Sequence, residues 1–179
     1  MDIVTLAQAY FALAAVLLLA GGLVGTGAEA LRSFRRSGFA TAVLGLAAVA
    51  WFVAWLWFLP EADLAGLNRT LVLVVFAGAS LATFKYMPDL LAVRALGVLM
   101  MFLARHVLDA GFTHLPYSLL AAGVSYGLLI VFGLWWASSP PAFVQQCDWV
   151  LVSAARRRVL GALLGGLGLA CVYQAFHLA

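Results

Sequence analysis

The feature that most constrains this chain is a series of long apolar runs separated by short polar segments. Hydrophobic residues make up 66% of the sequence, and only 9% of the residues are charged. A soluble domain carries about 25% charged residues, so a surface this poor in charge would not stay dispersed in water. A run of about 20 apolar residues matches the thickness of the hydrocarbon core of a bilayer. The sequence therefore predicts an all-α integral membrane protein.

The apolar runs predict six transmembrane helices. Their approximate positions are residues 3–25, 39–59, 70–86, 89–112, 116–136 and 159–176. No basic residue precedes the first run, which is not typical of a cleaved signal peptide, so we interpret that run as the first transmembrane helix. The connections are too short to form a soluble domain. Residues 1–179 are therefore predicted to form a single polytopic membrane domain.

A segment of mixed polarity, residues 142–155, separates the fifth and sixth predicted spans. Its large apolar side chains can share one side of a helix; they are Phe143, Trp149, Val150 and Val152. This pattern favours a short helix that lies on the cytoplasmic membrane surface. The alternative is that the last span begins at Trp149 and is long and tilted.

The charged residues beside the spans predict the orientation of the protein. The basic ones are Arg32, Arg35 and Arg36 after the first span, Lys85 after the third, and Arg156, Arg157 and Arg158 before the last. With six spans, all of these lie on one side of the membrane, and the opposite side carries Asp2, Glu61, Asp63 and Arg69. The positive-inside rule makes the basic side cytoplasmic and places both termini outside a bacterial inner (plasma) membrane. This arrangement also explains the net charge of +3 without nucleic acid as a partner.

A polar stripe interrupts the fourth predicted span. At 100° per residue, one side of that helix carries Arg94, Gly97, Met101, Arg105 and Asp109, and His106 points about 100° away from Arg105. Arg105 and Asp109 are four residues apart and can pair along the helix. Charged groups at this depth face protein or water rather than lipid, so we predict that the pair lies on an inward face.

Three interpretations of these polar residues remain open. In the first, the ion pair is structural and Arg94 extends towards the headgroups. In the second, Arg94, Arg105, His106 and Asp109 line the path of an anionic solute or bind a headgroup. In the third, His106 and Asp109 relay protons, although one histidine and one carboxylate are little material for a pump.

Glycine and tryptophan residues have separate predicted roles. Small residues four apart allow helices to approach closely in lipid. The predicted helix-packing residues are Gly21, Gly25, Gly97, Gly161, Gly165 and Gly166. Tryptophans near span ends are typical of the aromatic belt at the membrane interface, and the predicted anchors are Trp51, Trp55, Trp57, Trp135, Trp136 and Trp149. For the first three, an aromatic-lined ligand site is the alternative.

The sequence offers little catalytic chemistry. It contains no HExxH motif, no carboxylate cluster for a divalent metal and no nucleotide-binding loop, so we predict no catalytic residue and no metal ligand, and we identify no cofactor. The glycine stripes and the lack of soluble domains favour an accessory or scaffold subunit of a larger membrane complex, with other subunits or a second copy as partners. The alternative is a small permease or channel for an anionic or amphipathic solute. We favour the first because only one span is clearly polar.

Overall fold

A computed structural model describes residues 3–34, 37–60, 64, 66–86 and 90–179, and these residues form helices and no strand. The helices are α1 (Ile3–Thr26), α2 (Ala28–Phe34), α3 (Gly38–Trp57), α4 (Arg69–Tyr86), α5 (Leu91–Gly111), α6 (Leu119–Val124), a π-helix (Ser125–Ile130), α7 (Val131–Ser138), α8 (Pro140–Leu151) and α9 (Ala154–Leu178). The π-helix joins α6 to α7 without a break. The prediction of an all-helical membrane protein is confirmed.

Five helical segments of the described chain are long and apolar enough to cross a bilayer. They are Thr5–Thr26, Gly38–Trp57, Leu91–Gly111, Leu119–Ser138 and Ala154–Leu178. The helix predicted at 70–86 is present as α4, and its apolar part with continuously described side chains is Arg69–Ser80. A sixth span is therefore not confirmed by length and composition, and α4 remains a predicted span.

Several residues used to predict the orientation lie outside the described part of the chain. They are Asp2, Arg35, Arg36, Glu61 and Asp63, together with the side chain of Lys85.

Antiparallel packing of α1 on α9 is the most extensive helix contact among the described residues. A Cβ atom built on Gly161 would lie 2.8 Å from the carbonyl oxygen of Gly21 and 2.9 Å from the Cα of Gly25. Such distances require a glycine on both helices. Further along the pair, Phe11 and Phe176 meet edge to face with ring centroids 5.3 Å apart. Small residues thus bring the backbones of α1 and α9 into direct contact.

Helix α5 lies at the centre of the bundle and contacts α1, α3, α6, the π-helix and α7. Its approach to α7 depends on two glycines. A Cβ atom on Gly133 would lie 2.9 Å from the carbonyl oxygen of Gly97, and neither residue has room for a side chain. The contact between α4 and α3 is much smaller, and it includes a stack of Phe76 on Phe52 with ring centroids 3.7 Å apart. In its described part, α4 therefore lies at the edge of the bundle.

Helix α8 crosses the end of the bundle at which α7 ends and α9 begins, which we call the basic end. Phe143 is buried between Phe34 and Trp136, with ring centroids 5.7 Å and 4.9 Å away. The α9 helix starts at Ala154, so the alternative of one long helix from Trp149 is wrong. The segment before the last span is indeed a separate short helix.

The prediction that four apolar residues of this segment share one side is also wrong. Phe143 and Val150 are buried against the bundle, whereas Trp149 and Val152 are 59% and 79% exposed. Neighbouring positions on a helix differ by about 100°, so Trp149 points away when Val150 packs inward. Val152 follows the end of α8 at Leu151. The buried side of α8 therefore faces protein, and its exposed side carries Trp149.

Replacing Trp136 by phenylalanine is expected to loosen α8 from α7. The indole Nε1–H donates a hydrogen bond of 2.8 Å to Oε1 of Gln146 in α8. Because a partly buried hydrogen bond contributes about 0.5–1.5 kcal/mol, Trp136→Phe should lower the free energy of unfolding in detergent by that amount. Trp135→Phe is the matched control, since Trp135 is exposed. Equal stability of the two variants would contradict this role of the hydrogen bond.

Candidate functional site

An open cleft lies between α3 and α5 at the end of the bundle opposite the basic end. Its volume is about 470 Å³, and it is lined by Trp51, Ala54, Trp55, Phe58, Leu59, Pro60 and Arg105. Most of these residues are apolar or aromatic, and Arg105 is the single charged residue among them. The rim is held by Arg69, at the start of α4, whose guanidinium donates a hydrogen bond to the carbonyl oxygen of Leu59. We call this the Arg105 cleft.

Arg105 is positioned by one aromatic ring and one carboxylate. Its Cζ lies 4.8 Å from the ring centroid of Trp55, a cation–π distance. Its Nε lies 3.6 Å from Oδ2 of Asp109, one turn along α5. The predicted pairing is therefore present, at a distance longer than a direct hydrogen bond.

The predicted inward orientation of this pair is wrong. The side chains of Arg105 and Asp109 are 57% and 61% exposed on the side of the bundle. Residues four apart on an α-helix are offset by about 40°, so the stripe turns progressively around α5 between Gly97 and Asp109. Gly97 at one end of the stripe is buried against α7, whereas Arg105 beyond it faces the gap beside α3. A stripe that is continuous on a helical wheel thus meets two different environments.

The other polar residues of the stripe do not join the cleft. Arg94 is partly exposed near the start of α5, eleven residues before Arg105, which corresponds to about 16 Å along the axis. His106 is exposed and forms no hydrogen bond or ion pair with another described residue. The structure therefore brings Arg105 and Asp109 together and leaves Arg94 and His106 apart from them.

The predicted tryptophan anchors fall into three groups. Trp136 is half-buried and donates its hydrogen bond to Gln146 of α8. Trp57, Trp135 and Trp149 are exposed near helix ends, where an aromatic belt would place them. Trp51 and Trp55 instead form a wall of the Arg105 cleft.

The predicted helix-packing glycines differ in how closely another helix approaches them. Gly21, Gly97 and Gly161 have no room for a Cβ atom, and Gly25 contributes its backbone to the contact with Gly161. A Cβ on Gly165 or Gly166 would meet nothing within 4 Å, although the backbone of Gly165 lies against Gly21. Gly166 is exposed and lies outside the contact between α1 and α9.

Tyr10 is a polar residue of the core that was not predicted. Its hydroxyl donates a hydrogen bond of 2.6 Å to the carbonyl oxygen of Tyr117 and accepts one of 3.2 Å from the backbone N–H of Ala121. Ala121 lies in the first turn of α6, where N–H groups have no partner within the helix. Tyr10 therefore caps α6 from α1. Only its position in an otherwise apolar span could have drawn attention to it.

Ser125 is a second unpredicted residue, and it lies in the pentapeptide Gly123-Val124-Ser125-Tyr126-Gly127. This pentapeptide matches the G-x-S-x-G pattern of serine hydrolases, in which the serine sits on an exposed strand-to-helix turn beside a histidine. Here Ser125 begins the π-helix, is fully buried, and its Oγ has no hydrogen-bond partner in the described structure. The motif therefore lacks the context that would make the serine a nucleophile.

Metal-binding geometry is not found in the part of the chain that the structure describes, since no three histidine, cysteine or acidic side chains lie close enough together to hold an ion. Compared with protein-family models, curated proteins and solved structures, the chain matches none of them significantly.

Proposed function

We propose that this protein is an accessory or scaffold subunit of a larger membrane complex and that the Arg105 cleft docks another membrane protein. The observation that carries this proposal is the exposure of the Arg105–Asp109 pair on the side of the bundle. The partner would cover this pair with a helix that carries a polar or acidic group.

The depth of Arg105 in the bundle supports a protein partner. Arg105 lies six residues before the end of α5 at Gly111, or about 9 Å along the helix axis. If α5 spans the bilayer, this position is inside the hydrocarbon region, which extends about 15 Å from the centre on each side. A charged group exposed to lipid there costs about 2.5–3.5 kcal/mol on insertion scales. A partner helix that covers the pair would remove most of this cost.

The unused hydrogen-bonding capacity of Arg105 supports the same conclusion. A guanidinium has five N–H donors in a planar fork. Arg105 has one long ion pair and one aromatic neighbour, and it forms no hydrogen bond to another described residue. Carbonyl or carboxylate oxygens on a helix of the partner would accept hydrogen bonds from these donors. Apolar side chains of the same partner helix would pack against Trp51 and Trp55, which line the cleft.

The alternative of a solute path through the chain has less support. The buried polar side chains of the described interior are Ser118, Ser125 and Tyr10, and all three are neutral hydroxyl groups. The tight contact of Gly97 with Gly133 closes the space between α5 and α7. A path for an anion would need polar groups along its whole length.

The topology belongs to this proposal as well. We propose that α4 is a sixth span and that α8 lies at the membrane surface, with Trp149 directed to the interface. The basic end would be cytoplasmic in a bacterial inner membrane, and both termini would lie on the other side.

Replacing Arg105 by glutamine is expected to separate the protein from its partner while leaving the isolated chain folded. Loss of one member of a charge pair at an interface costs about 2–5 kcal/mol, so co-purification of the partner should fall about 30-fold or more. The exposed pair adds only about 0–1 kcal/mol to the stability of the chain itself, so thermal unfolding in detergent should change little.

The measurement is gentle purification of the tagged protein from its native membrane, followed by native mass determination. Arg94→Gln is the matched control, because Arg94 lies on the same helix outside the cleft. A foreign subunit that is retained by the parent and by Arg94→Gln, and lost from Arg105→Gln, supports the proposal. A parent protein that purifies as a monomer, or an Arg105→Gln variant that retains its partner fully, contradicts it. A second copy in place of a foreign subunit would replace the scaffold role with self-association.

A further inference from the structure

Three consecutive arginines lie in the first two turns of α9, at the basic end of the bundle. Arg156 is held in place by α8, since its Cζ lies 4.5 Å from the ring centroid of Trp149 and its Nη1 donates a hydrogen bond of 3.2 Å to the carbonyl oxygen of Trp149. Arg158 is exposed, and Arg157 is partly buried. We call Arg156, Arg157, Arg158 and Trp149 the basic cluster.

The arginines of the basic cluster form no ion pair with a carboxylate among the residues that the structure describes. The carboxylate–guanidinium pair that the described chain forms is Arg105–Asp109, at the opposite end of the bundle. The first turn of α9 contains no acidic residue. The positive end of the helix dipole adds to the same charge, so the cluster would be stabilised by an anion.

Arg157 provides an independent sign that an acceptor belongs at this cluster. Its Nε is buried and has no hydrogen-bond partner among the residues that the structure describes. A buried donor without an acceptor is destabilising. Arg157 as a whole is partly exposed, so an anion at the surface would bind the outer part of its guanidinium.

Apolar side chains next to the cluster indicate the kind of anion. Trp149, which contacts Arg156, and Val152, two residues before α9, are both largely exposed. A free inorganic anion would gain nothing from these two residues. A phospholipid would place its phosphate among the arginines and its glycerol and acyl carbons against Trp149 and Val152.

We propose that the basic cluster binds the headgroup of an acidic phospholipid. The phosphate oxygens accept hydrogen bonds from Arg157 and Arg158, and Arg156 is held ready by its stack on Trp149. This site lies at the opposite end of the bundle from the Arg105 cleft, so the proposal does not depend on a partner subunit.

The test measures the binding of phosphatidylglycerol, and of phosphatidylcholine for comparison, to the delipidated protein in neutral detergent by native mass spectrometry and thermal unfolding. Each basic residue near an anionic lipid contributes about a fivefold change in binding, so Arg157→Gln should bind phosphatidylglycerol about fivefold more weakly than the parent does. Arg157→Lys is the matched control, because it keeps the positive charge, and its binding should stay close to that of the parent. Binding of phosphatidylcholine should be weaker and should not change.

A second variant and a competing anion keep the proposal falsifiable. If Arg157→Gln does not fold, the double variant R156Q/R158Q removes the two exposed arginines and should weaken binding about 25-fold. Phosphatidylglycerol binding that is unchanged in the folded variants would overturn the proposal. Stabilisation that inorganic phosphate reproduces in full would assign the site to the free anion and would overturn the assignment to lipid.

Discussion

Replacing Gly161 by alanine is expected to lower the free energy of unfolding by about 3 kcal/mol, at the upper end of the usual cost of overpacking. The new Cβ atom would lie 2.8 Å from the carbonyl oxygen of Gly21 and 2.9 Å from the Cα of Gly25. Both neighbours are backbone atoms, so neither can move aside by rotating a side chain. The α1 and α9 helices would have to separate along their whole contact.

Two other glycines of α9 provide graded controls for this variant. A Cβ on Gly168 would lie 2.8 Å from Cγ of Leu18, a side chain that can rotate, and 3.2 Å from its backbone nitrogen, so Gly168→Ala should cost an intermediate amount, about 1–2 kcal/mol. Gly166→Ala should change stability by less than about 0.5 kcal/mol, because open space surrounds that position. Thermal or denaturant unfolding of the three variants in one detergent would rank their losses of stability. Equal stability of Gly161→Ala and Gly166→Ala would contradict the close approach of α1 and α9.

Replacing Tyr10 by phenylalanine is expected to cost about 2–4 kcal/mol. The change removes one hydroxyl and leaves two backbone groups without a partner, the carbonyl oxygen of Tyr117 and the N–H of Ala121. A buried group that loses its hydrogen bond costs about 1–3 kcal/mol, as applies to the Ala121 N–H, and the partly buried carbonyl of Tyr117 adds a smaller cost. Because the ring itself remains, the effect measures the hydrogen bonds rather than lost packing.

Tyr126→Phe is the matched control for Tyr10→Phe, since Tyr126 is 61% exposed and should tolerate the loss of its hydroxyl. Hydrogen–deuterium exchange gives a second measurement that general destabilisation does not reproduce. Exchange should increase first in the peptide that contains the start of α6, before the rest of the bundle opens. Unchanged protection of Ala121 in Tyr10→Phe would show that the hydroxyl does not cap α6.

The helix positions could largely be predicted from the sequence because they depend on local composition. The first run was predicted at 3–25, and α1 extends from Ile3 to Thr26. The last helix was predicted from residue 159, but α9 starts at Ala154, because a helix can continue through arginines that lie beyond the apolar region. A bilayer limits the length of an apolar run rather than the length of the helix that contains it.

The candidate site was only partly predictable. Arg105 and Asp109 form a pair because a spacing of four residues brings side chains together on any α-helix. Their position beside Trp55 could not be predicted, because it depends on which side of α3 packs on α5. For the same reason the sequence could not distinguish Gly161, which has no room for a side chain, from the exposed Gly166.

The sequence by itself determined that this is a helical membrane protein, where most of its helices lie, and which charges are able to pair along α5. The tertiary structure alone decided that the Arg105–Asp109 pair faces outward, that Phe143 and Val150 turn α8 towards the bundle, and that Tyr10 caps a helix 111 residues away. The physical reason is that hydrophobicity and helical period act over neighbouring residues. The environment of each helix face is set by contacts between segments far apart in the chain.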